Sequence, residues 1–253
     1  MIVRIRLDEC DVKNEGRVIL SRRMRIAALY DIHGNLPALE AVLADVRSVG
    51  VDCIVVGGDI FPGPMARDVL HYLIAIEIPV EFIRGNGDRA LVEVANGTES
   101  AGLPPSLIPL FQWHAAQLEQ ADLSSVAAWP MTTALTVDEL GDVLFCHATP
   151  RDDNEMFDVS TPDAQIAPAF AGVDARLVIC GHTHRQFDRS IGGMRVVNAG
   201  SVGMPFDGRH ARWLYLSDSV ELRQTPYDLA DAARRVRATD YPRAEEFIEA
   251  VMG

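Results

Sequence analysis

The chain has 253 residues, 48% of them apolar and 23% charged, a balance that excludes domain-scale disorder and suits one large domain or two small ones. Its 23 Lys and Arg against 36 Asp and Glu leave a formal charge of −13, which argues against non-specific binding to nucleic acid or to an anionic membrane surface. A phosphate-bearing substrate stays admissible, because a divalent cation can reverse the field inside one cleft.

No apolar run approaches the roughly 18 residues of a membrane-spanning helix. Residues 1–23 mix charges through their apolar positions, unlike a secretory signal. Within this segment "VRIRL" and "RVIL" around "KNEG" read either as a small hairpin or as a ragged extension before Met24. From Met24 strands and helices alternate. "RIAALY" reads as a buried strand and "LPALEAVLADVRSVG" as a helix stopped at Gly50. "DCIVVGG" is a strand, "MARDVLHYLIAI" a helix closed before Pro79, and "PVEFIRG" a third strand. Strands separated by helices of this length imply right-handed crossovers and a largely parallel arrangement. Residues 95–130 read as a helical insertion of two helices, broken at Asp122–Ser125 and ended before Pro130. The second half is richer in strands. "TTALTV" and "DVLFCH" pair around the turn Glu139–Asp142, and "RLVICGH", "MRVVNAGS" and "ARWLYLS" follow, with Gly192-Gly193 a hairpin turn. "DLADAARRVRA" and "RAEEFIEAVM" close the chain as helices. The four cysteines, Cys10, Cys53, Cys146 and Cys180, form no CxxC pair, and three lie in apolar runs. They read as small buried thiols of a cytoplasmic protein.

Polar residues recur where the strands end. "RIAALY" runs into Asp31 and His33, "CIVVGG" into Asp59, "VEFIRG" into Asn86 and Asp88, "DVLFC" into His147, and "RLVIC" into His182 and His184. Carboxyl ends of parallel strands converge on one crevice. Taken singly, each signal is weak: a D-x-H or a Gly-Asp is ordinary turn chemistry, and a lone histidine is most often a satisfied core residue. Two histidines at i and i+2 after a strand are expected to point the same way. Together, mixed oxygen and nitrogen donors suit Mn, Fe, Zn, Co or Ni. Seven donors exceed one cation's needs and suit a pair, which can clamp an in-line displacement at phosphorus.

These motifs, "DIHGN", "GGD", "GNGD", "CHATPRD" and "GHTH", resemble those of the calcineurin-like metallophosphoesterase superfamily over roughly residues 24–220. "DIHGNLPALEAVL" and "VVNAGSVG" are similar to its bacterial and archaeal phosphodiesterases. The resemblance implies an α/β fold (α+β in some schemes): a β-sandwich of two sheets flanked by helices, forming one domain over 24–253. It implies that Asp31, His33, Asp59 and His184 hold one divalent metal ion, and that Asp59, Asn86, His147 and His182 hold the other, manganese being the first expectation. Asp59 would bridge, and a hydroxide between the metals would attack phosphorus. Arg84, at a place where relatives bind phosphate oxygens, joins Asp59 and Asn86 in the expected catalytic set. The guanidinium fork suits phosphate. Asn35 is the second expected substrate contact, and Asp88 is expected to support the ligands.

Two departures stand out. Position 87 is glycine where many relatives carry a histidine that assists the leaving group, so either another group donates the proton or the substrate has a better leaving group, such as a nucleotide, diphosphate or aryl-like ester. Tyr30 stands where relatives often have a small residue, and is expected to pack on the face opposite Asp31. His71 reads as structural or exposed, and the insertion that carries His114 as able to cap the cleft or simply to pack. Arg151, Asp152 and Asn154 read as a solvated loop near the site. Thr183 is expected to point away from its histidine neighbours. The expected activity is a metal-dependent phosphodiesterase acting on a small phosphate ester or nucleotide-type substrate, as monomer or homo-oligomer, with no membrane and no nucleic-acid partner. A phosphomonoesterase or diadenosine-polyphosphate hydrolase is the alternative within the same chemistry, and a scaffold protein of the same fold the alternative outside it.

Overall fold

The computed structural model describes residues 24–252, so the hairpin-or-extension alternatives for residues 1–23, and Cys10, lie outside the described residues. Among those described, ten strands build two sheets of five. In the first, β1 (Ile26–Leu29), β2 (Cys53–Val56) and β3 (Val80–Phe82) run parallel. Two antiparallel strands, β9 (Ala211–Leu216) and β10 (Val220–Thr225), extend it to the order β10-β9-β1-β2-β3. The second sheet has the order β4-β5-β6-β8-β7. Its centre, β5 (Gly141–Cys146), β6 (Leu177–Cys180) and β8 (Met194–Asn198), is parallel. Its edges, β4 (Thr132–Val137) and β7 (Phe187–Ile191), pair antiparallel.

All four side chains of β1 are buried, because the strand is covered on both faces. Ile26 and Ala28 point between the sheets, where they meet Val143, Phe145 and Ile179. Ala27 and Leu29 point the other way, toward the helices α1 (Leu36–Val49) and α2 (Ala66–Ala75). The period of two along a strand thus assigns alternate residues to two cores. Outside the second sheet, Phe157, Ile166 and Phe170 pack on Cys146, Val178 and Cys180. The layers run helix, sheet, sheet, helix, as the family resemblance implied. Cys53, Cys146 and Cys180 are buried free thiols.

Tyr30 follows β1 and is fully buried in the core between the sheets, its hydroxyl donating to the Ile179 carbonyl at 3.2 Å. Its ring fills space that any side chain at Gly57 or Gly181 would need, since a Cβ at either would stand 2.0 Å or 2.5 Å from it. The bulk packs, and two glycines at the ends of facing strands make room.

Several elements differ from the sequence reading. The insertion's helices are α4 (Ile108–Ala115) and α5 (Gln120–Ala127), so the break falls at 116–119 and not at Asp122–Ser125. Asp122 opens the second helix, its carboxylate accepting from the Glu119 N–H at 3.0 Å. The reading also passed over β7, β10, the short helix α6 (Asp163–Ile166), and the helix α3 (Asn86–Ala95) that begins inside "GNGD". The closing helices are α7 (Leu229–Arg237) and α8 (Ala244–Met252). Against α8, the buried Tyr241 meets both Phe247 and the insertion's Trp113.

Candidate metal centre

Every non-glycine residue with positive φ among the described residues is one of the seven singled out by sequence: Asp31 (53°), His33 (44°), Asp59 (55°), His182 (68°) and His184 (58°). Asp and His tolerate this left-handed region better than most residues, yet each such turn costs about 1–3 kcal/mol. The turns let a parallel strand end abruptly and face its next side chains into the crevice. They also correct one expectation. "GHTH" is not extended; left-handed turns at both histidines send them to different groups. Asp31, His33 and His184 gather in one cluster, and Asp59, His147 and His182 in another.

The imidazoles are held in defined orientations. His33 Nδ1–H donates to the Pro62 carbonyl at 3.1 Å, His184 Nδ1–H to Met204 at 2.7 Å, and His147 Nδ1–H to Gly57 at 2.9 Å. A carbonyl only accepts, so each Nδ1 carries the proton and each Nε2 turns a lone pair into the cleft. There His33 Nε2 and His184 Nε2 stand 3.1 Å apart, and His147 Nε2 lies 3.1 Å from Asn86 Oδ1. Facing acceptors at this distance need positive charge between them. Asp59 Oδ2 lies 3.8 Å from His33 Nε2 and 3.6 Å from His147 Nε2, between the two clusters. Asp31 Oδ1 and His182 Nε2 are buried without a hydrogen-bond partner. Buried polar atoms are almost always paired, and these two belong one to each cluster. The donor set, its orientation and its orphaned atoms fit a pair of divalent cations.

The proton affinities record the same demand for positive charge. Burial opposes charging His147 and His184, but the facing carboxylates, Asp59 and Asp31 for the first and Asp31 for the second, outweigh it and raise both above the ordinary imidazole range. Burial lowers His33 to about 3 and His182 to about 4, with His184 and His147 respectively adding repulsion. Burial also disfavours the Asp31 carboxylate, but His184, His147 and His33 more than compensate and hold it below the usual range. Burial pushes Asp59 up to about 7 against the pull of His147.

Support comes from the next layer. Asp88, fully buried, accepts the N–H groups of Asp59 (2.8 Å), Gly85 (3.0 Å), Ile60 (3.1 Å) and Phe61 (3.2 Å), fixing the Asp59 turn to the start of α3. Gly87 N–H donates to Asp59 Oδ1 at 2.8 Å, leaving Oδ2 for the cleft. A Cβ at Gly87 would stand 2.1 Å from the Phe61 carbonyl oxygen, so the backbone itself excludes the side chain seen in many relatives.

Sequence reasoning gave no role to Asn198 or Ser201, although both lie in the quoted "VVNAGSVG". Asn198 Nδ2 donates to the Gly181 carbonyl at 2.6 Å and to Thr183 Oγ1 at 3.1 Å, and Ser201 donates to the Asp31 carbonyl at 2.7 Å. One segment therefore braces two ligand loops. His114 was also missed. Its Nε2 accepts the Gly63 N–H at 3.2 Å, next to the Pro62 carbonyl that orients His33.

Asn35 is fully buried. Its oxygen caps α1 at Ala38 N, and its Nδ2 donates to the Gly203 carbonyl at 2.8 Å and to the Tyr227 hydroxyl at 3.2 Å. This set of bonds ties the start of α1 to the Gly203 and Tyr227 segments. Arg84 has no ion pair among the described residues, and its Nε is buried without a partner. Arg151 pairs with Glu155 on the surface, while Asp153 ties the same loop to Arg89 of α3 at 2.8 Å. His71 pairs with Asp122 at 3.0 Å.

Comparison with known proteins matches residues 24–218 to the calcineurin-like phosphoesterase superfamily domain. The chain is 25% identical over 238 residues to an uncharacterised protein of Methanocaldococcus jannaschii, covering 83% of this chain and 91% of that one. Its fold is similar to that of a metallophosphoesterase from Sphaerobacter thermophilus, with TM-score 0.69 and 24% identity over 91% of this chain and 98% of the other. A hypothetical protein from Pyrococcus horikoshii has TM-score 0.74 and 18% identity, over 90% and 97% of the two chains.

Proposed function

The chain belongs to the calcineurin-like phosphoesterase superfamily and is a hydrolase of phosphoric esters, and on that premise we propose that it is a phosphodiesterase working with two divalent cations. The observation that carries this reading is the pair of facing-acceptor contacts, His33 to His184 and His147 to Asn86, flanking Asp59 Oδ2. Asp31, His33, Asp59 and His184 would hold one cation, and Asp59, Asn86, His147 and His182 the other. When bound, the cations supply Lewis acidity toward a phosphoryl oxygen and lower the pKa of solvent to the neutral range.

The protein's own residues do the rest. The carbonyls of Pro62, Met204 and Gly57 keep three imidazoles in the tautomer that presents a lone pair. Asp88 and the Gly87 N–H hold Asp59 so that one oxygen faces both clusters. Arg84, with no carboxylate partner among the described residues, binds non-bridging phosphate oxygens and offsets charge as it grows. No side chain at position 87 donates a proton to the departing oxygen, so the site favours substrates whose leaving group is already weakly basic. Manganese is the metal we expect to sustain turnover.

The test is hydrolysis of bis-p-nitrophenyl phosphate, p-nitrophenyl phosphate and a nucleotide panel by metal-reconstituted protein. We expect diester cleavage that Asp59→Asn and His147→Ala abolish. Little bound Mn and no hydrolysis would point instead to a scaffold of the same fold.

A further inference from the structure

Phe206, on the loop between β8 and β9, sits against one of the residues proposed to hold a cation. Its ring lies against the His184 imidazole, with centroids 4.6 Å apart and planes tilted by 30°. Its N–H donates to the His184 carbonyl at 3.1 Å, and the His184 ring in turn donates to the carbonyl of Met204, two residues earlier. Asp207 anchors the loop on Arg212 at 3.1 Å. The phenyl group is thus fixed relative to a metal-binding residue, and yet 53% of it is exposed. Scattered exposed aromatics need no explanation. This one is joined through both ring and backbone to a residue that the proposed reaction uses.

Gly87 adds an independent constraint. With the Phe61 carbonyl barring a side chain there, the departing group must leave without a proton from that position. A nucleoside phosphate displaced from a phosphoanhydride is a leaving group of this kind, whereas a nucleoside alkoxide is not, and it carries a flat ring. Aromatic side chains stack on bases without needing specific hydrogen bonds.

Resting on the phosphohydrolase reading above, we propose that Phe206 is the platform on which a nucleobase of the substrate stacks, which makes nucleotide-type substrates with a nucleoside phosphate as the departing group the substrate class. One face of the ring is braced by His184. The open face receives the base while the phosphate lies over the clusters.

The experiment measures dissociation constants, by calorimetry on the Mn-loaded protein, for adenosine 5′-monophosphate and for ribose 5-phosphate, which share phosphate and sugar and differ in the ring. Wild type, Phe206→Ala and Phe206→Trp are compared, with metal content and turnover of bis-p-nitrophenyl phosphate recorded for each. Stacking predicts that Phe206→Ala lowers the preference for the nucleotide over the sugar phosphate about tenfold, and that Phe206→Trp restores it. Equal weakening of both ligands, or a fall in bound metal, would mean that the ring only shields His184 and would overturn the proposal. So would an unchanged preference, or a wild type that binds both ligands equally. Hydrolysis with an unchanged preference defeats the platform and spares the phosphohydrolase; the expected preference without hydrolysis does the reverse.

Discussion

Ala28 and Asp31 are three residues apart and obey opposite rules. Ala28 lies in a regular parallel strand, apolar and fully buried between two sheets. Asp31 is equally buried, but it turns left-handed, carries a charge and leaves one oxygen without a partner. The same contrast recurs at β2 with Asp59 and at β6 with His182. A sandwich covered on both faces holds its strands rigidly. Its loops can then keep polar groups in orientations they would not choose alone. The strands supply stability and the loops hold unmet demand for positive charge, so cations should complete the site without being needed to build the fold.

The sharpest way to break this contrast is to delete a donor. Asp59→Asn and His147→Ala should reduce turnover to background while leaving cooperative unfolding intact; loss of the folded state in either variant would show that the loops also build the sandwich. Next in size is the support under Asp59. Replacing Asp88 with Asn puts an amide group against four backbone donors, and we expect metal affinity to fall about 10- to 100-fold, read by calorimetric titration. Gly87→Ala presses a methyl group on the Phe61 carbonyl and should destabilise the chain by about 1–3 kcal/mol, measured by urea unfolding.

The smallest effect is expected at His114. Burial holds its imidazole down at about 4, so it is neutral in the fold, where Nε2 accepts from Gly63. Its pKa is depressed relative to the unfolded chain. Its contribution is therefore present above about pH 6.5 and is lost as pH falls toward 4. The stability advantage of wild type over His114→Asn should be about 0.5–1.5 kcal/mol at pH 7.5 and should shrink toward pH 4.5. A gap independent of pH would remove His114 from the account.

The contrast also explains what the sequence revealed. Asp31, His33, Asp59, Asn86, His147, His182 and His184 were legible because each follows a short apolar run, and strand ends of parallel sheets converge. The two-core alternation of β1 follows from the same periodicity. The roles of Asn35, Gly87 and His114 were not legible, because they depend on neighbours far along the chain: Gly203, the Phe61 carbonyl and Gly63. Asp122 misled because an acid in a helical run reads as a break, whereas here it caps the helix it begins. The split of His182 from His184 came with the family resemblance, whereas the i and i+2 spacing alone pointed the two the same way; the left-handed turns that separate them are not announced by the spacing.

The most direct test of the central claim is anomalous diffraction from crystals saturated with Mn. The account predicts two peaks about 3.5–4 Å apart, one beside Asp31, His33 and His184, the other beside Asn86, His147 and His182, with Asp59 between them. A single peak, or none, at saturating metal would contradict it.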